Sequence, residues 1–293
     1  MNTRRVHRSN TWLIAMVLTL LIPCHYASAG TVVIVDENNV DWGFLDEGGS
    51  PVWGFQGGPD TPPTGNGSAF FDISNPSDGA LIATQLHNGL RLVDLSELGY
   101  CTYQETTPQA VALQFNIDYD DSDGSADWQG RLVYEPYYTE AVIPGVWQCW
   151  DTLTQAPPPF RGRRTPAGVG NWWSTGTPIV GGVPQAAVCT IGDPCAFSEI
   201  LSFYPDVAIH QTLGALILKA GSGWPGPVRF NVDQLDVGTQ ATGVTYDFES
   251  TSIPVELLSL TVASGGLGVG LGLRRVRRRK VPPSCRRSPR GSR

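Results

Sequence analysis

The sequence predicts an all-β protein, an antiparallel β-sandwich of jelly-roll type with one short helix. Three observations carry this expectation. Short runs of alternating apolar and polar residues recur between residues 31 and 249. Turn formers punctuate them, with 34 glycines and 23 prolines in 293 residues. Only one segment has a helical pattern, and the strand–helix–strand rhythm of a parallel sheet is missing.

TVVIVD (31–36) opens the series as a strand. DWGFLDEGGSPVWGFQGGPDTPPTGNGS (41–68) alternates aromatics with glycines and ends in turn signals. SAFFDI (68–73), ALIATQL (80–86), LRLVDL (90–95) and YCTYQ (100–104) read as strands, although both faces of LRLVDL are mixed. AVALQFNIDYD (110–120) has the clearest alternation, with Val111, Leu113, Phe115 and Ile117 on one face. RLVYEPYY (131–138) is its expected partner, followed by GVWQCWDTL (145–153) and the Pro-rich TQAPPPFRGRRTP. AFSEILSFYP (196–205) is the helix, stopped by Pro205. LGALILKAG (213–221), VRFNVDQLDVG (228–238) and GVTYDFE (243–249) complete the strands.

Both ends differ from this body. Residues 1–29 have a basic start, an apolar run LIAMVLTLLIP and a small-residue ending Ala27-Ser28-Ala29, the three parts of a secretory signal peptide. Residues 251–280 hold a weakly apolar, Gly-rich stretch closed by RRVRRRK, which reads as a membrane-retention or sorting tail. Residues 281–293 read as a disordered basic extension. The expected domain is therefore 30–250, in a secreted or cell-envelope protein that meets the membrane through its tail.

The whole chain carries −7, but seven of its 20 basic residues and 26 of its 27 acids fall in 30–250, leaving that body near −19. Such a surface repels nucleic acid, which requires a basic footprint. Four cysteines lie in the body: Cys101, Cys149, Cys189 and Cys195. In an exported chain they imply two disulfides, with three pairings open. Cys189 and Cys195 bracket a short loop that closes easily on itself, which makes Cys101–Cys149 the default second bond.

NIDYDDSDGSADW (116–128) concentrates negative charge. Asp118, Asp120, Asp121 and Asp123, with Asp127 to complete a shell, are candidate ligands for Ca²⁺, which takes six to eight hard oxygens. Gly124 would allow the tight turn, but the spacing departs from that of an EF-hand. The competing expectation is a solvated hairpin whose charges water screens.

Catalytic signals are weak. Glu135 in an apolar strand and Asp151 near Trp147 and Trp150 are candidates for perturbed carboxylates, but a glycosidase needs two such groups facing each other. There is no Gly-x-Ser-x-Gly elbow. His87 and His210 are the only histidines of the body. Tryptophan is plentiful in the body, at positions 42, 53, 128, 147, 150, 172, 173 and 224. Trp147 and Trp150 are expected in the core. Trp172 and Trp173 are adjacent, so in a strand one of them faces outward, and Trp224 sits in the turn GSGWPGP. Trp172, Trp173 and Trp224 are the candidate ligand-binding residues, because flat rings with nearby polar groups hold sugars.

The segments GPDTPPTGNGSA (58–69), LSELGYCTY (95–103), GRLVYEPYY (130–138), GVWQCWD (145–151), WWSTG (172–176), SEILSFYPDVAI (198–209) and LGALILKAGSGWPGPVRFNVDQLDVG (213–238) span most of the body. In this order they resemble a family of secreted bacterial surface β-sandwich domains of undefined function that precede C-terminal sorting tails. The tail is similar to exosortase-type signals, but has Ile253-Pro254-Val255-Glu256 where those carry a Pro-Glu-Pro core. The closing strands are similar at fold level to jelly-roll carbohydrate-binding modules. The resemblance implies a bacterial cell-surface protein. The expected function is noncatalytic binding of an extracellular polysaccharide or envelope glycan. A purely structural surface protein and an envelope polysaccharide hydrolase are the alternatives.

Overall fold

The computed structural model describes residues 30–124, 126–138, 140–153 and 171–251. The segment expected as a signal peptide and the apolar and arginine-rich tail beyond residue 251 lie outside the described residues. What is described is a sandwich, or half-barrel, of two mostly antiparallel sheets that broadly resembles jelly-roll folds.

The first sheet holds β1 (Thr31–Val35), β3 (Val52–Gly57), β4 (Gly67–Ile73), β6 (Leu95–Gln104), β9 (Gln148–Asp151), β15 (Val228–Thr239) and β16 (Gly243–Phe248). The second holds β2 (Trp42–Gly48), β5 (Gly79–Thr84), β7 (Ala112–Asp118), β8 (Arg131–Tyr134), β10 (Trp172–Ser174), β13 (Ala208–Ile209) and β14 (Ala215–Gly221). β11 (Ile179–Val180) and β12 (Val183–Pro184) form a small separate hairpin. The helix α1 (Phe197–Phe203) buries Phe197 and Ile200, three residues apart on one face.

Strand alternation builds the core. In the second sheet, Trp172, Tyr134, Leu113, Leu218, Ile82 and Phe44 lie side by side across six strands. Five of them are buried in the main hydrophobic cluster, and Phe44 packs against it. The first sheet answers with Phe71, Tyr100, Phe230, Tyr246 and Phe248. Rings meet between the layers, as in Phe44–Phe71 at 5.9 Å, Trp42–Phe248 at 5.3 Å and Tyr100–Tyr134 at 6.2 Å.

β15 is the spine of the first sheet. On one flank it pairs with β6. On the other it pairs with β4 along Val228–Val232, then with β16 from Leu235 to Gly238. The fork between β4 and β16 leaves backbone donors unpaired, and the fully buried Asp233 fills it. Its carboxylate accepts from Thr64 N at 3.0 Å, Thr64 Oγ1 at 2.9 Å and Phe248 N at 3.0 Å. Burial nevertheless dominates and pushes the Asp233 carboxyl up to about 6, against the opposing effect of those bonds.

Two expected strands end differently. Residues 92–94 form a 3₁₀ turn, because only Leu92 of the mixed LRLVDL faces is buried, and the ladder starts at Leu95. β8 stops at Tyr134, since Pro136 has no N–H to give a ladder, and Pro136–Tyr138 turns as a second 3₁₀ element. Both disulfides are the expected ones. Cys101–Cys149 staples β6 to β9, and Cys189–Cys195 closes the short loop before α1.

Candidate functional site

The outward face of the second sheet carries the site. Its residues alternate with the core rows. Trp173, Val133, Gln114, Ile217, Ala83 and Gly43 form one outward row. Lys219 lies beside Ala112 and Leu81 in the next. The face is concave, as one contact demonstrates. Glu47 on β2 bonds Arg131 on β8, with β5, β14 and β7 between them. Four strand spacings in a flat sheet would separate the two backbones by roughly 19 Å, beyond the joint reach of both side chains. The sheet must curl to bring them together.

A cleft of about 380 Å³ opens at the β8–β10 end of this face. Trp173, Tyr137 and Trp128 supply its rings, and Gln114, Arg131, Glu135 and Lys219 its polar groups. β10 holds Trp173 in place through the disulfide loop: Trp172 N donates to Cys195 O at 3.0 Å, and Ser174 N donates to Cys189 O at 2.9 Å. Glu135 follows β8 directly. The 3₁₀ turn brings Tyr137 Oη back to donate to Glu135 Oε2 at 2.9 Å, and Trp173 Nε1 donates to the same oxygen at 3.2 Å. Glu135 is only 8% exposed. Burial raises its pKa, while the two hydrogen bonds and the Lys219 charge act in the opposite sense. One carboxylate therefore fixes the orientation of two aromatic rings at the cleft wall.

The three candidate tryptophans separate. Trp172 faces inward, is 0% exposed and stacks on Phe115 at 5.7 Å, so no ligand reaches it. Trp173, its neighbour on β10, faces the cleft and is half-buried, as the alternation of a strand requires. Trp224 touches the cleft but is 8% exposed and packs against Phe230 at 5.0 Å, which makes it chiefly a core residue. Trp150 is buried as expected, whereas Trp147 is half-buried and donates to Pro59 O at 2.9 Å. Trp128, 51% exposed, was not singled out by the sequence; it lies three residues before Arg131, where β8 begins. Arg131, Gln114 and Lys219 were also missed; β7 and β14 are buried along nearly their whole length, so alternation does not mark them.

The acidic loop lies elsewhere, and its carboxylates do not converge on one point. Asp118 is buried and accepts from Gln129 Nε2 at 2.7 Å and from Asp120 N at 3.0 Å. Asp120 accepts from Gly181 N at 2.9 Å, and Asp123 from Gly182 N at 2.8 Å. Gly181 and Gly182 form the two-residue turn of the β11–β12 hairpin, with φ of +58° and +73°, values suited to glycine. Asp121 lies 3.4 Å from Gln211 Nε2, and Asp127 is exposed. Bonds from Ser122 and then Gly181 hold Asp120 below the usual carboxylate range. The loop is a latch in which carboxylates cap the amides of a glycine turn. Among the described residues, no three His, Cys, Asp or Glu side chains gather as a metal centre would need.

His210 is buried, with Nδ1 accepting from Thr212 N and Leu213 N, each at 3.1 Å. His87 Nε2 pairs with Tyr246 Oη at 2.9 Å, and burial lowers its pKa. Asp151 is exposed at the end of β9. None of these three lines the cleft.

No protein-family model matches the chain, and no curated protein is similar to it.

Proposed function

We propose that this protein is a noncatalytic glycan-binding domain of an exported, cell-envelope protein, and that its ligand lies in the cleft on the outward face of the second sheet. The supporting observation is the pair formed by Trp173 and Tyr137, two partly exposed rings oriented by the buried Glu135 carboxylate. Sugar rings stack on such faces, and their hydroxyls need acceptors and donors close by. Glu135 has hydrogen-bond partners on Oε2, leaving Oε1 to accept from a hydroxyl, and Gln114 and Lys219 flank it. The cleft volume of about 380 Å³ suits one or two sugar units. Two disulfides fit an oxidising compartment.

The test is affinity electrophoresis through gels containing soluble polysaccharides, with Trp173→Ala beside the wild type. Retardation of the wild type that is lost in the folded variant supports the reading. Equal migration of both in every gel rejects it. A second reading, polysaccharide hydrolysis, is favoured by one observation: the same curled face holds Glu135 with a raised pKa and Glu47 with a lowered one. Release of new reducing ends, abolished by Glu135→Gln, would establish it in place of simple binding.

A further inference from the structure

Among the described residues there are four basic side chains, in a body near −19. Arg91 pairs with Asp206 at 2.6 Å and Arg229 with Asp72 at 2.6 Å, both away from the cleft. The other two, Arg131 and Lys219, meet at the cleft and share one carboxylate. Glu47 Oε1 accepts from Arg131 Nη2 at 2.5 Å, and Oε2 lies 2.6 Å from Lys219 Nζ. All three side chains retain between 18% and 23% exposure, so the cluster is open to a ligand.

Arg131 is aimed before any ligand arrives. Its Nε donates to Asn116 Oδ1 at 3.1 Å and its Nη1 to Gln114 Oε1 at 3.2 Å, which leaves Nη2 directed at the carboxylate. Lys219 projects from β14, two strands away from Arg131 on β8, in the row of Ala112 and Leu81. Glu47 is held less rigidly by the sheet. It sits where β2 slips register against β5, between Asp46 and Gly48, so no ladder pairing fixes its backbone. A preset guanidinium and ammonium, bridged by a carboxylate from a bulge at a strand end, form a carboxylate receptor occupied by the chain itself.

We propose that the cleft takes a carboxylated polysaccharide, a uronate-bearing glycan whose carboxylate settles between Arg131 and Lys219 in place of Glu47. This rests on the glycan reading above and adds the chemical class. The stacking rings Trp173 and Tyr137 and the cationic pair line one cleft, so a ring and its own carboxylate are held together. Exchanging one carboxylate for another keeps both cations paired, which avoids leaving a half-buried charge uncompensated. A neutral sugar cannot make this exchange and finds the cations already engaged. Glu47 thus acts as an internal competitor that sets the affinity. The strongly acidic body slows approach of a polyanion, so binding is selective through the local pair and not through the global field.

The experiment compares polygalacturonate, alginate and hyaluronan with their carboxyl-reduced counterparts, using the full chain and affinity electrophoresis at two salt concentrations. The expected result is retention by at least one polyuronate, weakened by about tenfold or more on carboxyl reduction, as loss of charge-assisted bonds requires. Glu47→Gln should tighten that binding several-fold, and by more than it changes binding of the reduced form. Lys219→Met should weaken it by about tenfold. Melting curves establish that each variant is folded; if Glu47→Gln is not, the comparison of native and reduced polysaccharides on wild-type protein decides alone. Equal retention by native and reduced forms, lost in Trp173→Ala, overturns the carboxylate inference and leaves the glycan reading standing. Retention by no polysaccharide of either kind, neutral glucans included, overturns both.

Discussion

Replacing Asp233 by asparagine should change how stability depends on pH, and the size of the change follows from the fork it fills. The carboxyl is fully buried, with amide and hydroxyl donors and no basic partner, and its pKa moves from the usual 3.8 up to about 6. A folded-state pKa above the unfolded one means that the native protein binds this proton more tightly. The resulting stability is complete below about pH 4 and is lost as pH rises through about 6. Across that window the loss amounts to about 3 kcal/mol for this one group. Asparagine has no charge to desolvate, but its single amide oxygen can accept from either Phe248 N or the Thr64 donors, which bond different oxygens of Asp233. The assay is urea unfolding of both proteins at half-unit steps from pH 4 to pH 7.5. Other carboxyls titrate in the same range, but they are common to both proteins and cancel in the difference. The variant should be the less stable at pH 4, where the protonated acid is at its best, and should gain on the wild type by about 3 kcal/mol by pH 7. Parallel curves at all pH values would refute the claim that burial outweighs the three hydrogen bonds.

Asp120→Ala and Asp123→Ala should each cost about 1 kcal/mol, because the amides of Gly181 and Gly182 lose charged acceptors at a partly wet site, and calcium should raise the wild-type melting temperature no more than magnesium does. A saturable, calcium-specific rise in calorimetry would overturn the latch. Trp172→Ala should cost about 3–5 kcal/mol, against about 1 kcal/mol for the half-buried Trp173→Ala; equal losses in denaturant melts would contradict the assignment of the two faces. Replacing Cys189 and Cys195 together by serine opens a loop of sequence separation 6 and should cost about 2 kcal/mol. It should also weaken glycan retention, since the loop pairs with β10; unchanged retention would mean that Trp173 is positioned without it.

The sandwich was legible because period-two alternation is a local property. Val111, Leu113, Phe115 and Ile117 announce a buried face by themselves, and all four are buried. The opposed directions of Trp172 and Trp173 follow equally from adjacency in a strand. Which of them faces inward does not, because it depends on the register of β10 against β8. LRLVDL misled for a related reason: a six-residue run with mixed faces satisfies the composition of a strand, but its backbone turns where only Leu92 finds a core position.

The cleft was harder to read because its parts come from separate stretches of chain brought together by curvature. Glu47, Arg131 and Lys219 are 84 and 88 residues apart along the sequence, and nothing local marks any of them. A search for charge density leads to NIDYDDSDGSADW, where acids are crowded. That crowding is relieved by backbone amides of a hairpin some 60 residues away. In a body near −19 a run of acids is the ordinary case, and the informative residues are the scarce cations. Two of the four in the described residues meet over one carboxylate, beside the half-buried Trp173. Sorting the body by the rarer sign of charge would have placed Arg131 and Lys219 among only seven basic residues before any acidic loop. The same reasoning places the test of function on that face, because a chain gains little stability from a partly exposed ion pair and two converging cations there are better explained by what they hold.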